Sequence, residues 1–67
     1  MKFRKGDKVE LINKDIIDGG YIEKGEVGVV VVPGFSVSDV KINNEVHSIY
    51  TKNLKLIRRN RKWLKYQ

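Results

Sequence analysis

Three features of this chain specify a small all-β domain. Short runs alternate apolar and charged residues, turn residues recur about every eight to twelve positions, and no stretch carries helical periodicity long enough for a core helix. The chain has 67 residues, one histidine and no cysteine. A chain of this length buries only about 60% of the surface that its unfolded form exposes, so the core must be thin. Disulfides and thiolate or histidine metal cages are excluded by composition, which leaves an economical core or help from a partner to hold the fold.

The first run, 6–12, places Val9 and Leu11 on one face and Lys8 and Glu10 on the other, as in a half-buried strand. Asp18-Gly19-Gly20 follows as a turn signal between the arms Asp15-Ile16-Ile17 and Tyr21-Ile22-Glu23, a loop able to fold back as a small hairpin. Three isoleucines, Ile16, Ile17 and Ile22, are many for a solvated loop, and they are expected to cap the core. The next run is four consecutive valines behind Val27-Gly28. As a strand it puts Val27, Val29 and Val31 on one face and Gly28, Val30 and Val32 on the other, apolar on both sides, as expected of a strongly curved strand covered on both faces. β-branched residues favour strands, and a glycine inside one marks a bend or a close backbone approach. Gly28 is expected to let the strand coil around the core, and Pro33-Gly34 to end it. Residues 36–42 give a third strand with Val40 and Ile42 inward and Asp39 and Lys41 outward. Asn43-Asn44 is a two-residue hairpin turn, since Asn tolerates positive φ. Residues 45–50 form the fourth strand, 51–53 one 3-10 turn, and 54–57 the fifth strand.

Five short strands in so few residues are most economically arranged as a single five-stranded SH3-like barrel over 1–57, with an OB-type barrel as the competitor. A basic C-terminal tail, 58–67, follows, with room for a short helical turn capped by Asn60 and held only if Trp63 and Leu64 dock. Gly6-Asp7-x-Val9-x-Leu11 followed by Gly25-x-x-Gly28-x-Val30 resembles the KOW motif of SH3-like barrels, found in large-subunit ribosomal proteins and transcription elongation factors. The closing strands and Asn53-Leu54 extend the resemblance over about residues 5–57. It implies a nucleic-acid-binding module, although other SH3-like proteins with similar openings bind protein. Here 12 residues, 13–24, separate the two halves, where the compact motif has a shorter and more basic loop. This loop is acidic-leaning, with Asp15, Asp18 and Glu23 against Lys14 and Lys24.

The formal net charge is +6. Positions 1–57 hold nine basic against eight acidic residues, so the tail supplies five of those six charges. Such asymmetry points toward polyanions. The expected nucleic-acid-binding residues are Arg58, Arg59, Arg61, Lys62, Trp63 and Lys65. The cations would neutralise phosphates of RNA or DNA, and Trp63 and Tyr66 would stack on unpaired bases. Against this stands a solubilising tail whose Trp63 plugs the barrel. A second function class is a protein-interaction module, such as a phage or mobile-element accessory or inhibitor protein. Tyr21, Phe35 and Tyr50 would line its groove, although at least one of them is expected in the core.

No catalytic residues are expected. His47 and Ser48 are adjacent on a strand and face opposite ways, so they cannot pair as base and nucleophile. The loop carboxylates read as solvated rather than as an acid–base pair. The glycines precede no Gly-Lys-Ser or Gly-Lys-Thr and no helix, so they form no phosphate loop. The chain is expected to act without cofactor or metal, away from membranes and in the cytoplasm. No run approaches the roughly 18 apolar residues of a membrane span, and no apolar segment follows the charged N-terminus to make a secretory leader.

Overall fold

In the computed structural model, which describes residues 2–17 and 19–60, the first alternating run becomes β1 (Lys8–Leu11), with Val9 and Leu11 buried. The loop after it folds back as the hairpin β2 (Asp15–Ile17) and β3 (Gly20–Ile22). The valine run is β4 (Val27–Val32), followed by β5 (Val37–Ile42) and β6 (Glu45–Tyr50). A 3-10 turn at Thr51–Asn53 leads into β7 (Leu54–Arg58). Asn43 and Asn44 make the β5–β6 turn with φ of 51° and 67°, the left-handed conformation that asparagine tolerates best after glycine.

Five strands form one antiparallel sheet in the order β6-β5-β4-β1-β7. The two halves of the glycine-punctuated pattern are its central pair. Val9 stands opposite Gly28, Gly6 N–H donates to Val30 O at 2.8 Å, and Leu11 N–H donates to Glu26 O at 2.9 Å. The core is Phe3, Val9, Leu11, Val30, Val40, Ile42, Ile49 and Leu54 on one face of this sheet, with Ile17 and Ile22 packed against it. Two of the three loop isoleucines therefore cap the core as expected, while Ile16 is 80% exposed.

The sheet does not close into a barrel: among the described residues no ladder joins β6 to β7. Side chains bridge the gap instead. Asp15 is buried, and its Oδ2 accepts the Tyr50 N–H at 3.0 Å and the Asn53 Nδ2–H at 2.8 Å. This ties β2 to the end of β6 and to the turn that enters β7. Asp15 is thus a structural acid, not the solvated loop carboxylate expected of it.

Two expectations for the valine strand need correction. Only one of its faces is covered: Gly28 and Val30 are buried, whereas Val27 and Val29 lie exposed on the outer face and the pairing with β5 slips between Val30 and Val32. Gly28 is required by crowding and does not adopt a positive φ. A Cβ there would lie 2.6 Å from the Lys41 carbonyl oxygen and 2.7 Å from Val40 Cγ1 and Ile42 Cγ1. The absent side chain lets β5 fold closely over β4.

Candidate nucleic-acid interface

Cross-strand partners in an antiparallel sheet project on the same face. The register therefore aligns a row across five strands, Arg58–Lys8–Val29–Lys41–Val46, in which the Arg58–Lys8 pair lies just past a shift in the β1–β7 pairing between Lys8 and Val9. Every member is exposed. From Arg58 to Lys41 the row spans three strand spacings, roughly 14 Å. It contains three cations and no acid, and among the described residues Lys8, Lys41 and Arg58 enter no ion pair. Arg58 and Lys8 stand directly opposite one another, an arrangement that repels unless an anion lies between or above them. The next row differs: there Lys55 Nζ lies 3.7 Å from Glu10 Oε1, so the charges balance.

Where the tail begins, the chain is clamped by Asp7, whose side chain is completely buried. Its Oδ2 accepts the Arg4 N–H at 2.8 Å and Arg59 Nη1–H at 2.7 Å, and its Oδ1 accepts the Asn60 N–H at 2.8 Å. Charge-assisted bonds of this kind are short and strong, and they are what keeps a buried carboxylate tolerable. Asn60 Nδ2 donates to Lys5 O at 3.1 Å, so its side chain turns back onto the domain.

Of the residues singled out in the tail, Arg58 joins the outer row, and Arg59 is engaged with Asp7, its side chain 29% exposed. Arg61, Lys62, Trp63 and Lys65, with the helical turn expected around them, lie outside the described residues. Lys8 and Lys41 escaped the sequence reading. Both occupy outward positions of alternating runs, but they are 33 positions apart and only the register brings them into one row with Arg58.

Among the described residues, every aromatic side chain but that of Phe3 lies outside the core. Tyr21, Phe35 and Tyr50 are 56%, 89% and 55% exposed, so the expectation that one of them would be core fails; the volume is filled by Phe3 and Ile49. Phe35 sits on a braced turn. The buried Ser38 hydroxyl accepts the Gly34 N–H at 3.1 Å and pairs with Thr51 Oγ1 at 2.8 Å; Thr51 Oγ1 donates to Gly34 O at 2.8 Å. Thr51 N–H donates to Ser36 O at 2.9 Å. A Cβ on Gly34 would collide with the Val37 carbonyl oxygen, so only glycine permits this tight path.

A shallow depression of about 210 Å³, lined by Asp15, Ile16, Val37, Ser48 and Tyr50, opens where β2 meets β5 and β6. His47 lies on β6 opposite Val40, with Nε2 3.7 Å from Glu45 Oε1, while Ser48 donates its hydroxyl to Asp39 Oδ1. The two residues have separate partners and form no nucleophile–base pair. No helix among the described residues is long and apolar enough to cross a membrane. Compared with models of known protein families, with curated proteins and with solved structures, the chain matches none.

Proposed function

We propose that this protein is a non-catalytic nucleic-acid-binding module that grips phosphates with the outer row Lys8, Lys41 and Arg58 and with the basic tail that starts beside it. The carrying observation is the row itself: three exposed cations in register, none of them neutralised by a described acid. Placing phosphates there relieves the Arg58–Lys8 repulsion and releases condensed counterions, the main source of affinity in such contacts. The Asp7 clamp adds to this, because it fixes the tail's origin at the end of β7, next to Arg58. The resemblance to KOW-type SH3-like modules supports the same reading, since the two matching segments are the paired strands β1 and β4. A cytoplasmic setting goes with it. The test is binding of a labelled RNA and a labelled DNA by fluorescence anisotropy. Lys8→Gln/Lys41→Gln should weaken binding to unrelated sequences by similar factors, because phosphate contacts carry no sequence information. Unchanged affinity in this double variant would remove the row from the site.

A second reading, a protein-interaction module, is favoured by the depression bordered by exposed Ile16, Val37 and Tyr50. It becomes the working hypothesis if the parent protein binds no nucleic acid at low ionic strength.

A further inference from the structure

The outer face combines charge with apolar surface, and that combination discriminates between forms of nucleic acid. A duplex turns its phosphates outward and keeps its bases stacked inside, so it satisfies cations but gains nothing from hydrophobic side chains. A single strand offers both phosphates and open base faces. On this protein the cations Lys8, Lys41 and Arg58 flank Val29, which is 44% exposed. The β4–β5 hairpin that carries Val29 and Lys41 ends in the turn bearing Phe35, the most exposed large apolar side chain among the described residues.

An exposed phenylalanine on a loose loop would mean little. This one is held by buried hydroxyls: Ser38 and Thr51 together engage both the N–H and the carbonyl of Gly34, and Thr51 also fixes Ser36. The turn on either side of Phe35 is thereby fixed while the ring itself contributes nothing to the core. Because the backbone that carries the ring is already ordered, a base that stacks on it immobilises little more than the side chain itself. Along the hairpin, a rise of about 3.3 Å per residue puts this turn roughly 15 Å from the cationic row, within the length of a short single strand. Between them stands Asp39, opposite Val32 and bonded to Ser48. Its carboxylate repels phosphate from that stretch, so a strand running from the row to the turn must cross it with its phosphates turned away from the surface.

We infer that the protein prefers single-stranded nucleic acid, with Phe35 as a base-stacking platform and the Lys8–Lys41–Arg58 row as the phosphate track. The inference rests on the phosphate-binding reading above and adds the class of strand. The experiment compares a labelled oligothymidylate of about 12 nucleotides, a length within the range that small β-domains cover, with a duplex of the same length at equal salt. The parent should bind the single strand more tightly. Phe35→Ala should lower single-strand affinity by roughly 5- to 150-fold, the usual worth of one stacked base, and leave duplex affinity and melting temperature unchanged. Phe35→Trp should retain binding. Tighter binding of the duplex, or a Phe35→Ala variant with parental single-strand affinity, overturns this inference and leaves the phosphate reading standing. Failure of the parent to bind either probe at low ionic strength overturns both.

Discussion

Replacing Gly28 by alanine asks whether close packing, and not backbone freedom, explains the glycine in the valine strand. Its φ is not positive, so alanine meets no backbone penalty. On an uncrowded strand the change would stabilise, by about 0.4–1 kcal/mol, because alanine restricts the unfolded chain. Here the new methyl meets the Lys41 carbonyl oxygen at 2.6 Å and two γ-carbons at 2.7 Å. The side chains can rotate; the carbonyl belongs to the β4–β5 ladder and moves only if the pairing opens. Overpacking of this kind costs about 1–3 kcal/mol. For a domain of this size each kcal/mol lowers the melting temperature by about 4–8 °C, so Gly28→Ala should melt roughly 5–20 °C below the parent, and Gly28→Val lower still. Thermal unfolding followed by circular dichroism reads this directly. A Gly28→Ala protein that melts at or above the parental temperature would refute the steric explanation.

Asp7→Ala should cost about 3–5 kcal/mol, the range for breaking a buried charged pair, which approaches the whole stability of a small domain; urea denaturation should show it largely unfolded, with Arg59→Gln distinctly milder because both backbone donors to Asp7 remain. Thr51→Val should destabilise by about 1–3 kcal/mol in the same assay, because it strips the buried Ser38 and Gly34 of a partner without removing bulk. In the β2–β3 hairpin, Ile17→Ala should lose about 1–2 kcal/mol of buried apolar contact, while Ile16→Ala, at 80% exposure, should stay within about 0.5 kcal/mol of the parent.

What could be read from the sequence was what is local. Alternation gave the inward Val9, Leu11, Val40 and Ile42, Asn43-Asn44 gave the hairpin turn, and the surplus of isoleucines marked a loop that packs. These signals arise from side-chain period and φ preference within a few residues. The buried roles of Asp7 and Asp15 were hidden because their partners are distant in sequence: Asn60 and Arg59 for the one, Tyr50 and Asn53 for the other. A carboxylate beside glycine looks solvated until the fold brings donors to it. The near-neutral charge of positions 1–57 concealed the cationic row in the same way. Glu10 is matched by Lys55 in one row, which leaves Lys8, Lys41 and Arg58 unmatched in another, and a net count cannot register that segregation. The valine run misled for a different reason. Apolar residues on both faces suggested double coverage, but a five-stranded sheet with a single-sided core leaves Val27 and Val29 outside.

The salt dependence of single-strand binding tests the phosphate grip most directly. Each cation that neutralises a phosphate contributes about −0.7 to the slope of log K against log[salt] on single strands. Replacing Lys8, Lys41 and Arg58 together with glutamine should flatten the slope by about 2 while leaving the melting temperature near the parental value, because all three side chains are exposed and make no described ion pair. A triple variant with the parental slope would contradict the assignment of this face as the nucleic-acid interface.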